Sequence, residues 1–275
     1  MKTYEIENYL TAKNERFDTK VLDCVEEYRI KAVSEKNEEQ ANYFWCLKHI
    51  FIIQSGFVSA INALKDRNYE EAWLTFDKID IDISALEENY WIEEDDDKYN
   101  LVFISRMIKE YQKLFPYHHF LSRESIIQAE ECSICGKPIS FRHPCGHKVG
   151  KLYMGELCLR KVTKMELKAV CIVTDPFDKY AFIKIDGKEY NYGMLDRLMS
   201  EIKSPYDEFY VETVKVKKPE FQNISKKTQC PCGSGKKYKR CHMGKTSELM
   251  NHHVVHMQKS NTPVNCFVGN FETWK

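Results

Sequence analysis

Cysteine spacing limits what this chain can fold into more than any other feature of its sequence. Seven of the eleven cysteines fall in two short segments, and each segment also contains histidine. The opening stretch MKTYEIENYL has acidic residues and no apolar core, so we expect no signal peptide and a reducing, cytoplasmic location. Clustered thiols and imidazoles in that compartment predict metal binding rather than disulfides. We assign no function to the isolated cysteines, which are Cys24, Cys46, Cys171 and Cys266.

The first metal-binding segment is CPCGSGKKYKRCH, residues 230–242, which we call the knob. It supplies four ligands, the number that a structural zinc ion takes in a closed tetrahedral site. Gly233 and Gly235 allow the tight turn that brings the two ligand pairs together. So short a segment cannot bury a core, and metal binding would supply most of its folding free energy. The predicted ligands, named the terminal cluster, are Cys230, Cys232, Cys241 and His242.

Positive charge is concentrated in the same part of the chain. Lysine plus arginine and aspartate plus glutamate are equal at 41 each overall, yet residues 213–245 hold ten basic residues and one acidic residue. A basic surface of this kind suits an acidic protein groove or the phosphates of RNA, although a solvated charge run is the alternative. The predicted partner-binding residues are Lys236, Lys237, Lys239 and Arg240.

The knob resembles the SEC-C motif, the zinc-binding tail of the bacterial preprotein-translocase ATPase SecA. It matches the pattern C-P-C-G-S-G-K-K-Y-K-x-C-H at every fixed position, over thirteen residues. The resemblance implies zinc on the terminal cluster, docking to a protein partner such as a chaperone or to the ribosome, and a bacterial source. No nucleotide-binding loop resembling that of the motor occurs elsewhere in the sequence.

The second segment begins with Cys132-x2-Cys135, a spacing typical of a zinc knuckle. The residues ELCLRKV downstream are expected to form a helix with Cys158 in its first turn, so the region resembles a treble-clef zinc finger in outline. The predicted ligands are Cys132, Cys135, Cys145 and Cys158, with His147 as the alternative to Cys145. We therefore expect two zinc ions per chain. His143 is expected to play a structural role.

A treble-clef outline also raises the possibility of an enzyme, because HNH nucleases use related finger geometry. Those enzymes need an Asn and a second His at characteristic positions, and the predicted helix after Cys158 offers neither. We predict no catalytic residues, and we leave open a metal-dependent hydrolase or nuclease at the central cysteines as the weakest alternative.

The fold class predicted from periodicity is α+β. Apolar residues recur every three or four positions in the first part of the chain, which indicates helices, and FWCLKHIFII is too short and too polar to span a membrane. Farther on, AVCIVTD and KYAFIKIDGKEYNY predict a β-hairpin, MLDRLMSEIK a helix and EFYVETVKVKK a strand. The predicted units are a helical domain (1–125), a treble-clef-like module (126–165), a small antiparallel α+β unit (166–218), a basic linker with the knob (219–245) and a poorly ordered tail (246–275).

These features together predict a non-catalytic zinc-binding adaptor. Its helical body would bind one partner, and the knob would dock onto a protein or ribosomal partner. The first alternative is a protein associated with RNA or other nucleic acid through its basic C-terminal segment.

Overall fold

The computed structural model describes residues 1–90, 97–176, 179, 181–258 and 265–269, with only the backbone described from 265 to 269. Within those residues the fold is α+β, as predicted, with seven α-helices and three small antiparallel sheets. One hydrophobic core runs from the helices into the C-terminal sheet, and a second, much smaller core lies beneath the knob.

Five helices form the N-terminal body. They are α1 (Thr3–Thr11), α2 (Thr19–Ser34), α3 (Glu38–Lys65), α4 (Tyr69–Glu87) and α5 (Leu101–Gln112). Helix α3 is central and packs against both α2 and α4, which explains why its sequence is apolar around most of its circumference. Asn37 begins α3 by accepting a hydrogen bond from the Gln40 N–H at 3.1 Å. The helical prediction for this part of the chain is confirmed.

Helix α3 is longer than the apolar stretch noticed in the sequence. By length and composition alone it could cross a membrane, since its most apolar 18-residue window has a mean hydropathy of 1.4. In the structure 67% of that window is buried inside the protein. The apolar surface of α3 is therefore used for packing by the neighbouring helices.

A long two-stranded ribbon follows the helical body. Strand β1 (Phe120–Cys132) pairs antiparallel with β4 (Arg160–Val173), in a register that runs from Phe120↔Val173 to Cys132↔Arg160 with three irregularities. The hairpin predicted from AVCIVTD and KYAFIKIDGKEYNY is thus wrong. The first of these segments belongs to β4, and Phe182 in the second forms an isolated bridge with Phe120 instead. Strand β1 offers β4 thirteen residues to pair with, more than the local hairpin could provide.

The segment between the two ribbon strands contains a small hairpin, β2 (Leu152–Tyr153) and β3 (Glu156–Leu157). The helix predicted around Cys158 is wrong, because β3 precedes this cysteine and β4 begins two residues after it. Lys161, Val162 and the residues that follow them extend to pair with β1. The central segment consequently has the knuckle and hairpin of the predicted outline but continues into a strand.

The C-terminal part contains α6 (Gly193–Glu201), β5 (Glu208–Lys217), the one-turn helix α7 (Tyr238–Cys241), β6 (Leu249–Gln258) and β7 (Asn265–Gly269). The sheet order is β5-β6-β7, all antiparallel. Helix α6 and strand β5 are confirmed. The expectation of a poorly ordered tail is wrong for residues 249–258, where His253, Val255 and Met257 alternate into the core as β6.

Strands cross several of the unit boundaries predicted from the sequence. Strand β1 begins within the predicted helical domain, β4 continues past residue 165, and β5 pairs with the predicted tail. The division into five units itself stays a prediction.

Candidate metal centres

The four side chains of the terminal cluster meet as the sequence predicts. One ligand atom from each of Cys230, Cys232, Cys241 and His242 lies within 4.8 Å of all the others. The Cys232 and Cys241 sulfurs are 3.5 Å apart, and His242 Nδ1 lies 3.2 Å from the Cys230 sulfur. Tetrahedral zinc with thiolate and imidazole ligands requires separations of about 3.5–3.8 Å between ligand atoms. The donor set therefore fits a zinc ion, and these two separations lie within about 0.3 Å of the required range.

Local backbone structure brings the two ligand pairs together. The Cys230 N–H donates to the Lys236 carbonyl at 2.8 Å and closes the loop, while Gly233 and Gly235 have φ angles of +74° and +71°. Such angles strain any residue that has a Cβ, so the two glycines are needed for this turn. Helix α7 then places Cys241 and His242 opposite the first pair.

The hydroxyl of Ser234 tunes one of these ligands. Its Oγ lies 3.2 Å from the Cys232 sulfur, and this hydrogen bond lowers the pKa of Cys232 to about 6. A thiolate is the form that binds metal, so Ser234 favours the ligating state. Burial instead raises the pKa of Cys230. This thiol, which is almost completely buried, depends on the metal itself for deprotonation.

The knob rests on the rest of the protein through three side chains that the sequence analysis did not identify. The Phe221 ring stacks on the His242 imidazole, with centroids 4.9 Å apart, and also on the Tyr238 ring. The Tyr238 hydroxyl donates to buried Glu248, whose other carboxylate oxygen accepts from the Gly244 N–H at 3.1 Å. Because Phe221 comes from the linker and Glu248 from just before β6, the knob is held against the end of the C-terminal sheet.

The predicted partner-binding residues lie on the outside of the knob. All four are exposed, and none forms an ion pair with another residue in the described part of the chain: Lys236, Lys237, Lys239 and Arg240. The four ligand atoms, by contrast, converge on one another, with Cys230 buried, Cys241 and His242 half-buried and Cys232 exposed. Their role in binding a partner stays a prediction.

The central cluster contains five candidate ligands. One atom from each of Cys132, Cys135, Cys145 and His147 lies within 4.8 Å of the others. The sulfur of Cys158 lies 3.9 Å from that of Cys132, and His147 Nδ1 lies 3.7 Å from the same sulfur. The structure thus brings Cys145 and His147, which the sequence analysis treated as alternatives, to the same place. A tetrahedral ion has four positions, so one of the five donors is in excess.

Cys132 and Cys158 are both almost completely buried, yet their thiols differ in pKa. The backbone N–H of Cys135 donates to the Cys132 sulfur and lowers the pKa of Cys132 to about 6. Burial raises the pKa of Cys158 to about 11. At neutral pH and without a metal, Cys132 therefore carries the thiolate and Cys158 stays a thiol.

The central segment is fastened to the helical body by hydrogen bonds to its backbone. Asn42 accepts from the Gly155 N–H at 2.7 Å, Arg29 donates to the Gly155 carbonyl at 3.1 Å, and Asn89 donates to the Gly150 carbonyl at 2.7 Å. A Cβ on Gly155 would lie 3.0 Å from the Ala41 carbonyl oxygen, so this close approach requires glycine. Helices α2, α3 and α4 hence fix the position of the central cluster.

The structure also bears on the nuclease alternative. An HNH-like unit needs a helix after the second ligand pair, and strand β4 occupies that place. A metal-dependent hydrolase or nuclease at the central cluster stays an untested alternative.

Comparison with known proteins agrees with the terminal cluster. Residues 228–244 match the SEC-C motif and include all four of its predicted ligands. The match covers the knob and a few flanking residues. No curated protein and no solved structure matches the chain. The protein thus contains a SEC-C motif and, in addition, a second cluster of cysteines and histidine that could hold a metal ion.

Proposed function

We propose that this protein is a non-catalytic zinc-binding adaptor of the bacterial cytoplasm, which docks onto an acidic protein or ribosomal partner through its knob. The observation that carries the proposal is the division of the knob's side chains into two groups. Its metal ligands converge on one another, whereas Lys236, Lys237, Lys239 and Arg240 are exposed and lie outside the ligand set. A zinc ion on each cluster would supply structural cross-links and no catalytic step.

Rigidity supports a binding role for these four cations. A loop fixed by a metal ion and by Phe221 and Glu248 loses little conformational entropy when it docks. Clustered positive charge also raises the rate of encounter with an acidic surface. The helical body, joined to the sheet by one continuous core, would carry the second binding surface of the adaptor.

The same excess of basic residues favours a second candidate function, direct contact with RNA phosphates. The two candidates differ in their dependence on salt. Four phosphate contacts would give a slope of about −3 when the logarithm of the binding constant is plotted against the logarithm of the salt concentration. Each contact releases condensed counterions. Docking onto an acidic protein surface gives a shallower slope, since charge steering mainly changes the association rate.

The test is co-sedimentation of the full-length protein with bacterial ribosomes over a range of salt concentrations. We expect the variant with Lys236→Glu and Lys239→Glu to bind at least about tenfold more weakly, because two attractive charges become repulsive. Zinc removal from the terminal cluster by Cys232→Ser should weaken binding similarly, since the cations lose their fixed arrangement.

The matched control reverses two exposed charges on the helical body, Lys78→Glu and Lys109→Glu. It should bind as the wild type does. Equal loss in both double variants would mean that only net charge matters, and unchanged binding in the knob variant would show that the knob is not the docking element. A slope near −3 for purified ribosomal RNA alone would favour the RNA candidate.

A further inference from the structure

The ribbon formed by β1 and β4 carries an apolar face that no described part of the protein covers. Alternate residues of a strand point to opposite faces, and residues directly opposite each other on paired strands share a face. The register pairs Leu121 with Ile172 and Ile127 with Met165, while Arg123 and Ser125 lie opposite Val170 and Leu167. These eight residues form what we call the outer face. Its six large apolar side chains are between 43% and 66% exposed: Leu121, Ile127, Met165, Leu167, Val170 and Ile172.

The other side, the inner face, begins in the core. Phe120 is buried against Trp73, with ring centroids 6.3 Å apart, and its register partner Val173 packs on the same core. Lys168 is the extra residue of β4 at one register irregularity, and it forms an ion pair with Glu166. The register partner of Glu166 is Ile126, which also belongs to the inner face. The outer face is therefore the side of the ribbon that points away from the core at Phe120, where the ribbon begins.

Both ends of the ribbon are fixed, so the ribbon cannot fold back to bury the outer face. At one end the Leu121 N–H donates to the Ala181 carbonyl at 2.7 Å, next to buried Phe120. At the other end Cys132 belongs to the central cluster, which Arg29 and Asn89 hold against the helices. An isolated two-stranded ribbon is at best marginally stable in water, and a contiguous exposed apolar patch of this size marks an interaction surface.

We propose that this outer face is the dimer interface of the protein, where it stacks on the outer face of a second copy. Arg123 carries the only charge among its eight residues, so the face lacks the charge pattern that would select an acidic, a basic or a nucleic-acid partner. An apolar face is complementary to itself, as a two-fold interface requires. Two stacked ribbons would form a two-layer sandwich about 10 Å thick, in which each layer covers the other.

The area is sufficient for such a dimer. Six half-exposed apolar side chains present roughly 500 Å² on each copy, comparable with the largest patch on a typical monomer, which is often functional. Two copies together bury about 1,000 Å², the lower bound for a specific protein interface. Interfaces at this lower bound are typical of weak, transient association, so we expect this dimer to dissociate at micromolar concentrations.

The test is sedimentation equilibrium of the full-length zinc-loaded protein from about 1 to 100 µM, the range in which we expect a weak interface to dissociate. The wild type should change from monomer to dimer over this range. Ile127→Lys should raise the dissociation constant at least tenfold, because the two-fold symmetry buries two like charges. Ile126→Lys is the matched control: it changes an equally exposed isoleucine on the inner face and should leave the dissociation constant unchanged.

A second variant keeps the test valid if lysine disturbs the ribbon. Leu167→Thr removes apolar area but retains a residue favourable to strands, and it should weaken the dimer without changing the circular dichroism spectrum.

A wild type that stays monomeric overturns the proposal, as does equal weakening of the dimer by Ile126→Lys and Ile127→Lys. A monomer that binds phosphatidylglycerol vesicles and loses this binding in Ile127→Lys assigns the face to a lipid surface instead. Lys236→Glu with Lys239→Glu should leave the dimer intact, which separates this result from any failure of the knob to dock.

Discussion

Single residues outside the ligand sets determine how well each cluster can bind metal. His242 is oriented by the Phe221 ring, and Ser234 stabilises the thiolate of Cys232. Groups that orient metal ligands contribute substantially to affinity although they never touch the ion. Phe221 also connects the terminal cluster to the surrounding fold.

Replacement of Phe221 by alanine should weaken zinc binding at the terminal cluster about 10- to 100-fold, because the His242 ring loses the surface that orients it. Competition with a chromophoric chelator measures this affinity. The control is Phe141→Ala, since the Phe141 side chain is fully exposed. Equal affinities in the two variants would mean that Phe221 serves only to fill space.

Glu26 provides a pH-dependent link between the helical body and the central segment. Its hydrogen bond to Arg29, which also binds the Gly155 carbonyl, lowers the pKa of Glu26 to about 2 from an ordinary value of 4.5. Because the folded-state pKa is the lower one, the stabilisation is complete above about pH 4.5 and disappears as the pH falls toward 2.

We therefore expect Glu26→Gln to lower the free energy of unfolding by about 1.5 kcal/mol at pH 7, as for loss of a charged hydrogen bond. The difference from the wild type should shrink below pH 4.5. Urea unfolding of both proteins at several pH values measures it, and exposed Glu27→Gln serves as the control. If the difference in free energy of unfolding between the variant and the wild type did not change with pH, Glu26 would not be the pH-dependent link.

Elements, rather than single residues, create the central cluster. Strand β1 ends at Cys132, the hairpin β2–β3 leads to Cys158, and the connecting loop brings in Cys145 and His147. Five donors compete for four positions because three separate segments converge on the site. The mutual distances favour Cys132, Cys135, Cys145 and His147, with Cys158 buried beside them.

This ligand set predicts three thiolates at the central ion. Cobalt(II) substitution tests it, since the charge-transfer absorption grows with the number of bound thiolates. In a background of Cys230→Ala and Cys232→Ala, we expect His147→Ala to weaken cobalt binding and Cys158→Ala to leave the spectrum unchanged. A spectrum that loses one thiolate contribution in Cys158→Ala would support the set predicted from the sequence, with Cys158 as a ligand.

At the scale of the whole molecule, the two clusters occupy separate parts of one fold. The central cluster lies against α2, α3 and α4, and the terminal cluster lies at the end of the C-terminal sheet with its own small core. The main core of the helical body contains no residue of the terminal cluster. Each cluster should consequently bind and release its metal ion independently of the other.

Elemental analysis should find two zinc ions per chain. Cys230→Ala with Cys232→Ala should remove one, and Cys132→Ala with Cys135→Ala the other, while the helical circular dichroism signal is retained because the core of α3 needs no metal. One ion that disappears only in the terminal variant would mean that the central cysteines do other chemistry.

The sequence by itself determined the features that depend on neighbouring residues. The terminal cluster could be predicted because its four ligands, its glycines and its basic residues all lie within residues 230–242. The helices of the body could be predicted because their periodicity repeats within each segment. Alternation of His253, Val255 and Met257 was an available signal for β6, although it lay in a segment expected to be poorly ordered.

Only the tertiary structure decided which distant segments pair and which donors meet. AVCIVTD is a strand by its composition, but its partner is β1 rather than the segment that follows, and a strand's sequence does not specify its partner. His147 lies near Cys132, and Glu248 contacts Tyr238, only because the fold brings these separate segments together. The physical reason is that ladder hydrogen bonds and side-chain burial are satisfied by any suitable partner, so competition among all segments of the folded chain makes the choice.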